Sequence, residues 1–125
     1  MISFEDFKKV EITVGKILSA EKVPETDKLL KLSVDFGIRG STSAGDLEVE
    51  PLKERDIRQI ISGVAMHFPD PQTLVGRKCM FVTNLEPRTI KSLESNGMLF
   101  AVSTEDGKFS LLEPNAEIPE GTRAK

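Results

Sequence analysis

Few side chains in this sequence have the types and spacing that covalent chemistry requires. One histidine, His67, and one cysteine, Cys79, exclude an internal disulfide and fall short of a Cys/His zinc site. His67 adjoins Phe68-Pro69-Asp70 and reads as a partly exposed turn residue. Cys79 stands between Lys78 and Met80 in an apolar run, where a thiol packs as a small hydrophobe. No G-x-S-x-G, P-loop or G-x-G-x-x-G run occurs. Gly40-Ser41-Thr42-Ser43 lacks the lysine and helix start of a phosphate cradle. No catalytic residue, metal ligand or cofactor is therefore expected. What the sequence does offer is clustered positive charge. Between Arg77 and Lys91 the bases Arg77, Lys78, Arg88 and Lys91 face Glu86 alone, and Lys28 and Lys31 follow Pro24. Such clusters suit phosphate oxygens.

The charge of the whole chain points the other way, since 17 Lys+Arg against 20 Asp+Glu leave a net charge of −3 over 125 residues. That deficit has an address. Gly40–Glu54 holds Asp46, Glu48, Glu50 and Glu54 against Lys53, so the remainder of the chain sums to zero. Global charge is a poor guide to what one face of the protein attracts. The composition, 38% hydrophobic and 30% charged, is that of an ordinary globular domain. No apolar run approaches the roughly 18 residues of a membrane span. The opening Met1-Ile2-Ser3-Phe4-Glu5 carries an acid where a signal segment carries bases. A cytoplasmic protein with no membrane partner is expected.

The elements that must position the bases are short. Ser3 can cap a helical turn with Asp6 three residues on, Phe4 and Phe7 sharing one face. Val10, Ile12 and Val14 alternate with polar residues, the period of a half-buried strand, and the apolar phase shifts to Ile17 and Leu18 after Gly15, which predicts a bulge at the glycine. Pro24–Asp27 is a turn. Leu30, Leu32, Val34 and Phe36 alternate with Lys31, Ser33 and Asp35 in the clearest strand of the sequence. Gly37–Asp56 shows neither apolar period and reads as an insertion or an unresolved hairpin. Arg58–Val64 is a third strand. Asp70-Pro71 starts a short helix that Gly76 stops. Lys78–Thr83 and Met98–Val102 are further strands, and Asp106-Gly107 turns into Lys108–Leu112 as a hairpin.

This pattern predicts an all-β domain with short helices: a five-stranded Greek-key barrel of the oligonucleotide/oligosaccharide-binding (OB) type, plus a C-terminal hairpin extension. Residues 1–125 form a single domain on this reading, with an acidic insertion at about 38–56 and the extension at about 104–125. In such barrels the ligand face is strands two and three, flanked by the loops joining strands one and two and strands four and five. Here those loops are Val23–Lys28 and Asn84–Gly97, and they carry the local bases. All seven aromatics are Phe and none lies in either loop. Base stacking is then secondary, and contacts to phosphates, 2′-hydroxyls and RNA shape would carry binding.

Four motifs in order sharpen this. They are Asp6-Phe7 with Val10 and Val14-Gly15-Lys16-Ile17; Asp27–Leu32; Arg58–Ala65; and Asn84-Leu85-Glu86-Pro87-Arg88 with Lys91 and Glu94–Leu99. Together they resemble the tRNA-binding OB-domain family over about residues 4–122. That family includes free-standing tRNA-binding proteins and the C-terminal domain or beta subunit of methionyl-tRNA synthetases. The resemblance implies a non-catalytic module that binds tRNA by its shape, with a methionyl-tRNA synthetase catalytic chain as a possible partner. Carried over residue by residue, Lys28 and Lys31 would contact phosphate from the first loop and second strand. Asn84, Arg88 and Lys91 would do so from the later loop, and Ser62, Ser95 and Met98 would shape the floor between. The bland alternatives are that Ser62 and Asn84 satisfy backbone groups and that Met98 belongs to the core. Two departures stand out: Glu86 and Thr89 and Ser92 occupy places where relatives are more basic, and the Gly40–Glu54 stretch is longer and more acidic. A chaperone-like peptide-binding module of the protein-export branch is the competing reading. A homodimer is expected, from Phe109, Leu111 and Leu112 ahead of Ile118-Pro119, more apolar surface than a five-stranded barrel needs.

Overall fold

A computed structural model of the chain describes residues 1–38 and 55–125. Nearly all of the acidic insertion therefore lies outside the described residues. The described strands are β1 (Ile12–Lys22), β2 (Leu30–Ile38), β3 (Arg55–Ser62), β4 (Lys78–Val82), β5 (Arg88–Ile90), β6 (Leu93–Ser95), β7 (Met98–Leu99), β8 (Ala101–Ser103) and β9 (Phe109–Leu111). Five of them form one antiparallel sheet in the order β3-β2-β1-β4-β7, curled into the half-barrel of an OB fold. The period-two reading of β2 holds from Leu30 to Val34, with Leu30, Leu32 and Val34 fully buried and Lys31 and Ser33 partly exposed; Asp35 departs from it, buried and paired with Arg55 at 2.8 Å. Opposite them Ile60 is fully buried, and Ile17, Leu74, Cys79 and Phe81 complete the centre of the core.

β1 is long enough to serve two neighbours, pairing with β4 from Ile12 to Lys16 and with β2 from Lys16 to Lys22. The irregularity that lets it bend is not at Gly15. Its register against β2 shifts between Ile17 and Ser19, so Leu18 is the bulged residue, turned out to solvent while Ile17 is fully buried. Gly15 is needed for a different reason. A Cβ there would stand 2.6 Å from Phe36 Cε1, 2.6 Å from Val34 Cγ1 and 2.9 Å from Phe81 Cδ1. Those two rings meet edge to face at 5.3 Å, so the glycine makes room for the aromatic centre of the barrel.

Asp70 caps Gln72 N, with Pro71 at the first position, but the helix it opens is a single 3₁₀ turn, Pro71–Leu74, which drops Leu74 into the core. Ser3 caps the N-terminal helix α1 (Phe4–Phe7) by accepting from Asp6 N at 3.1 Å, and α1 buries none of its residues.

The C-terminal extension folds back on its own barrel. β9 pairs with β8, Leu111 is buried, and Phe109 packs against the core and stacks on His67 at 4.0 Å. The last residues then run beside the start of β1, with Val14 N donating to Thr122 O at 2.9 Å and Ala124 N to Ile12 O at 2.8 Å. Gly37 and Gly121 permit this docking. A Cβ on Gly121 would lie 2.7 Å from Phe36 O, and one on Gly37 2.9 Å from Glu120 O. The side chains that suggested a partner surface, Phe109 and Leu111, thus serve the chain's own core. The exposed large apolar residues include instead Met1, Ile2, Phe4, Phe7 and Val10.

Candidate nucleic-acid interface

Asn84–Gly97, expected as a loop, contains a two-stranded hairpin. β5 pairs with β6 through Arg88↔Ser95, Thr89↔Glu94 and Ile90↔Leu93, leaving Lys91-Ser92 as a two-residue turn. Both turn residues have positive φ, 51° and 68°. That is the primed geometry tight hairpins prefer, adopted here without glycine or asparagine. The turn holds Lys91 at the tip of a projecting arm. Arg88 stands nearer its base, and both are exposed.

The arm is fastened to β3. Ser95 is 2% exposed, and its hydroxyl accepts from Ile61 N at 3.0 Å and donates to Gly97 O at 3.2 Å. Asn96 N donates to Gln59 O at 2.9 Å, and Gln59 Nε2 returns a bond to Glu94 O at 2.9 Å. Lys31 on β2 is in register with Ile61, Ile61 is bonded to Ser95, and Ser95 is in register with Arg88. At about 4.8 Å per strand this row crosses the face in about 14 Å. Met98, just beyond the arm on β7, is 39% exposed and pairs with Val82.

The other flank is the β1–β2 loop. Thr26 Oγ1 donates to Val23 O at 2.9 Å, Glu25 takes a positive φ of 65°, and Lys28 O accepts from Ala65 N at 3.0 Å. The Lys28 side chain is exposed. The loop therefore opens onto β2 at Leu30, whose partner on β3 is the half-buried Ser62.

Charge pairing sorts the bases that the sequence grouped together. Arg77 makes a two-pronged pair with Glu113, at 2.9 and 2.8 Å, and Lys78 donates to Ala116 O and Ile118 O, beside Glu120 at 3.9 Å. These two bases brace the C-terminal segment. The bond to Arg77 lowers the Glu113 carboxyl below its usual value and raises the guanidinium. Lys31 is paired with Glu21 at 3.0 Å. None of the ion pairs among the described residues engages Lys28, Arg88 or Lys91. Asn84 is engaged as well: its Oδ1 accepts from Glu11 N at 2.8 Å and its Nδ2 donates to Lys9 O, tying the N-terminal segment to the end of β4.

Burial raises the Cys79 thiol to about 11, the neighbouring Glu113 adding to the rise. No cluster of three His, Cys, Asp or Glu side chains suited to a metal ion occurs among the described residues. No described helix is long and apolar enough to cross a membrane.

One residue with a part in this site was not singled out from the sequence. Arg58 lay inside a strand motif, and its type and position alone carry no sign of the long-range bonds it makes to Thr83 O and Asn96 O.

Residues 12–123 match the family described as "Putative tRNA binding domain". Over 124 residues the chain is 39% identical to a methionine–tRNA ligase of Porphyromonas gingivalis and 44% identical to one of Methanospirillum hungatei, covering 99% of itself but 16% of each ligase. It thus spans about a sixth of the length of these relatives. Among solved structures, a MetRS-related protein from Pyrococcus horikoshii superposes with a TM-score of 0.80 at 35% identity, over 100% of this chain and 98% of that one. The chaperone CsaA from Bacillus anthracis does so with a TM-score of 0.76 at 26% identity, over 100% and 99%. The family match spans most of the chain and the barrel superposes over its full length, so the chain belongs to the tRNA-binding domain family.

Proposed function

We propose that this chain is a non-catalytic, structure-specific tRNA-binding module of the cytoplasm, serving a methionyl-tRNA synthetase catalytic chain or acting as a free-standing protein. The observation that carries the reading is the set of three exposed bases outside any described ion pair, Lys28, Arg88 and Lys91, on the two loops that border β2 and β3. Lys31 joins them by exchanging Glu21 for a phosphate, and Met98 and Ser62 form the floor between the loops. Asn84 and Ser95 support this face through the backbone bonds they already make. With no aromatic on either loop, recognition rests on backbone charge and shape. We further propose a homodimer formed through the exposed apolar side chains of Met1–Val10. A single 13.8 kDa species in sedimentation at micromolar concentration would remove that part.

A second reading, a chaperone-like peptide binder, is favoured by the full-length likeness to CsaA and by exposed Leu85 on the arm and Met98 just beyond it. Competition decides between them. A labelled tRNA transcript is bound to the protein and challenged with unlabelled tRNA, an unstructured RNA of equal length, and an unfolded polypeptide. The tRNA reading expects displacement by tRNA at concentrations at least tenfold below the other two. Equal displacement by the unstructured RNA, or stronger binding of the polypeptide, contradicts it.

A further inference from the structure

The arm that carries Arg88 and Lys91 stands on two feet, and one side chain bonds both. Thr83 precedes the arm, and Asn96 lies one residue before its end. Arg58 Nη1 donates to Thr83 O at 2.6 Å and to Asn96 O at 3.3 Å. The opposite edge of the guanidinium is gripped by Asp56, with Nε to Oδ1 at 3.1 Å and Nη2 to Oδ2 at 3.0 Å. Its plane is backed by Phe36, 5.3 Å from guanidinium carbon to ring centroid. The Arg58 side chain is 28% exposed. A planar fork held on both edges and over one face has little freedom, so the spacing of the two feet is fixed from β3. Gly97, next to the second foot, has a φ of +147°, and a Cβ there would sit 3.1 Å from Val82 O. At the far end the tip is set by the positive-φ pair Lys91-Ser92. Both ends of the arm are thus constrained, the base by the Arg58 bonds and the tip by its own turn.

We propose that Arg58 is a positioning residue for the nucleic-acid face: it sets the pose of arm 84–97 and so where Arg88 and Lys91 meet the ligand. This rests on the tRNA-binding reading. Arg58 is spent on protein partners, so its effect on binding runs through the arm and not through a phosphate contact of its own. Lysine at 58 would keep the charge and lose the fork that reaches Thr83 O, Asn96 O and Asp56 together.

The test is a double-mutant cycle with a tRNA transcript at fixed salt, well below the melting temperature of every variant. Arg58→Lys is expected to weaken binding about tenfold in the wild-type background and by less than about twofold in Arg88→Ala/Lys91→Ala. An equal loss in both backgrounds, or no loss in either, overturns the proposal. Amide exchange on the same proteins supplies a readout independent of RNA. Arg58→Lys should accelerate the arm amides, Arg88 to Asn96, about tenfold relative to those of β1 and β2. Uniform acceleration across the barrel, or none, indicates a merely structural or idle side chain and overturns the proposal as well. If wild-type protein does not bind tRNA, or Arg88→Ala/Lys91→Ala binds as tightly, the functional reading has failed, and the exchange data alone judge the clamp. Should Arg58→Lys fail to fold, Asp56→Asn, which frees the far edge of the same guanidinium, is judged by the same criteria.

Discussion

Ser95→Ala removes one oxygen atom and tests how the basic arm is joined to the barrel. Ser95 is 2% exposed and Ile61 4% exposed, so the amide of Ile61 has its partner, the Ser95 hydroxyl at 3.0 Å, in a region closed to solvent. Alanine fits the same space and leaves that N–H without an acceptor, and Gly97 O loses its donor at 3.2 Å. An unsatisfied buried amide costs about 1–3 kcal/mol, whereas the net worth of an ordinary bond is about 1 kcal/mol. The orphaned N–H is therefore the larger effect. The expected loss is about 2 kcal/mol of unfolding free energy in urea, with the denaturant slope unchanged. Exposed Ser103 supplies the control, since Ser103→Ala should fall within about 0.5 kcal/mol of wild type. A Ser95→Ala loss below about 0.5 kcal/mol would mean that Ile61 N finds another acceptor. It would refute the claim that the hydroxyl is the joint between β3 and β6.

Further outcomes follow from the packing and the charges. Gly15→Ala should cost about 1–3 kcal/mol in the same urea assay, because its Cβ meets Phe36, Val34 and Phe81 at 2.6 to 2.9 Å; wild-type stability would show that the rings have room to move. Cys79 is fully buried and its thiol is raised to about 11, so at pH 8 a disulfide reagent should modify it at least about a hundredfold more slowly in the native protein than in denaturant, and equal rates would contradict its burial. The Glu113 carboxyl is lowered in the folded state by Arg77, so its contribution is present above its unfolded value and is lost as pH falls through the folded one. The pair is partly exposed, so Glu113→Gln should cost under about 1 kcal/mol at pH 7, and the difference from wild type should shrink as pH drops below about 4. A difference that stays constant to pH 3 would contradict that assignment.

The strands were legible in the sequence where burial imposes a period of two. Leu30, Leu32 and Val34 are the clearest case, and the OB architecture follows from the number and order of such short strands along the chain. What stayed hidden depends on contacts distant in sequence. The β5–β6 hairpin has a turn of Lys91-Ser92, which carries no Asn-Gly or Asp-Gly signal, so its residues read as loop. Gly15 announces a special backbone position but not which kind. Three side chains from β2 and β4 require it, and the bulge lies at Leu18. Arg77 and Lys78 were grouped with Arg88 and Lys91 by proximity in the chain, yet the barrel turns the first pair toward Glu113 and Glu120. Residues 121–124 have no apolar period, and only the fold shows them laid along β1.

If exposed bases on the arm hold RNA by its phosphates, the salt dependence of tRNA binding must differ between wild type and Arg88→Ala/Lys91→Ala. Each phosphate contact contributes about 0.7 to 0.9 to the slope of log affinity against log salt. The double substitution should make that slope shallower by roughly 1.4–1.8 and weaken binding most at low salt. An unchanged slope, with tRNA bound as tightly as by wild type at low salt, would contradict it.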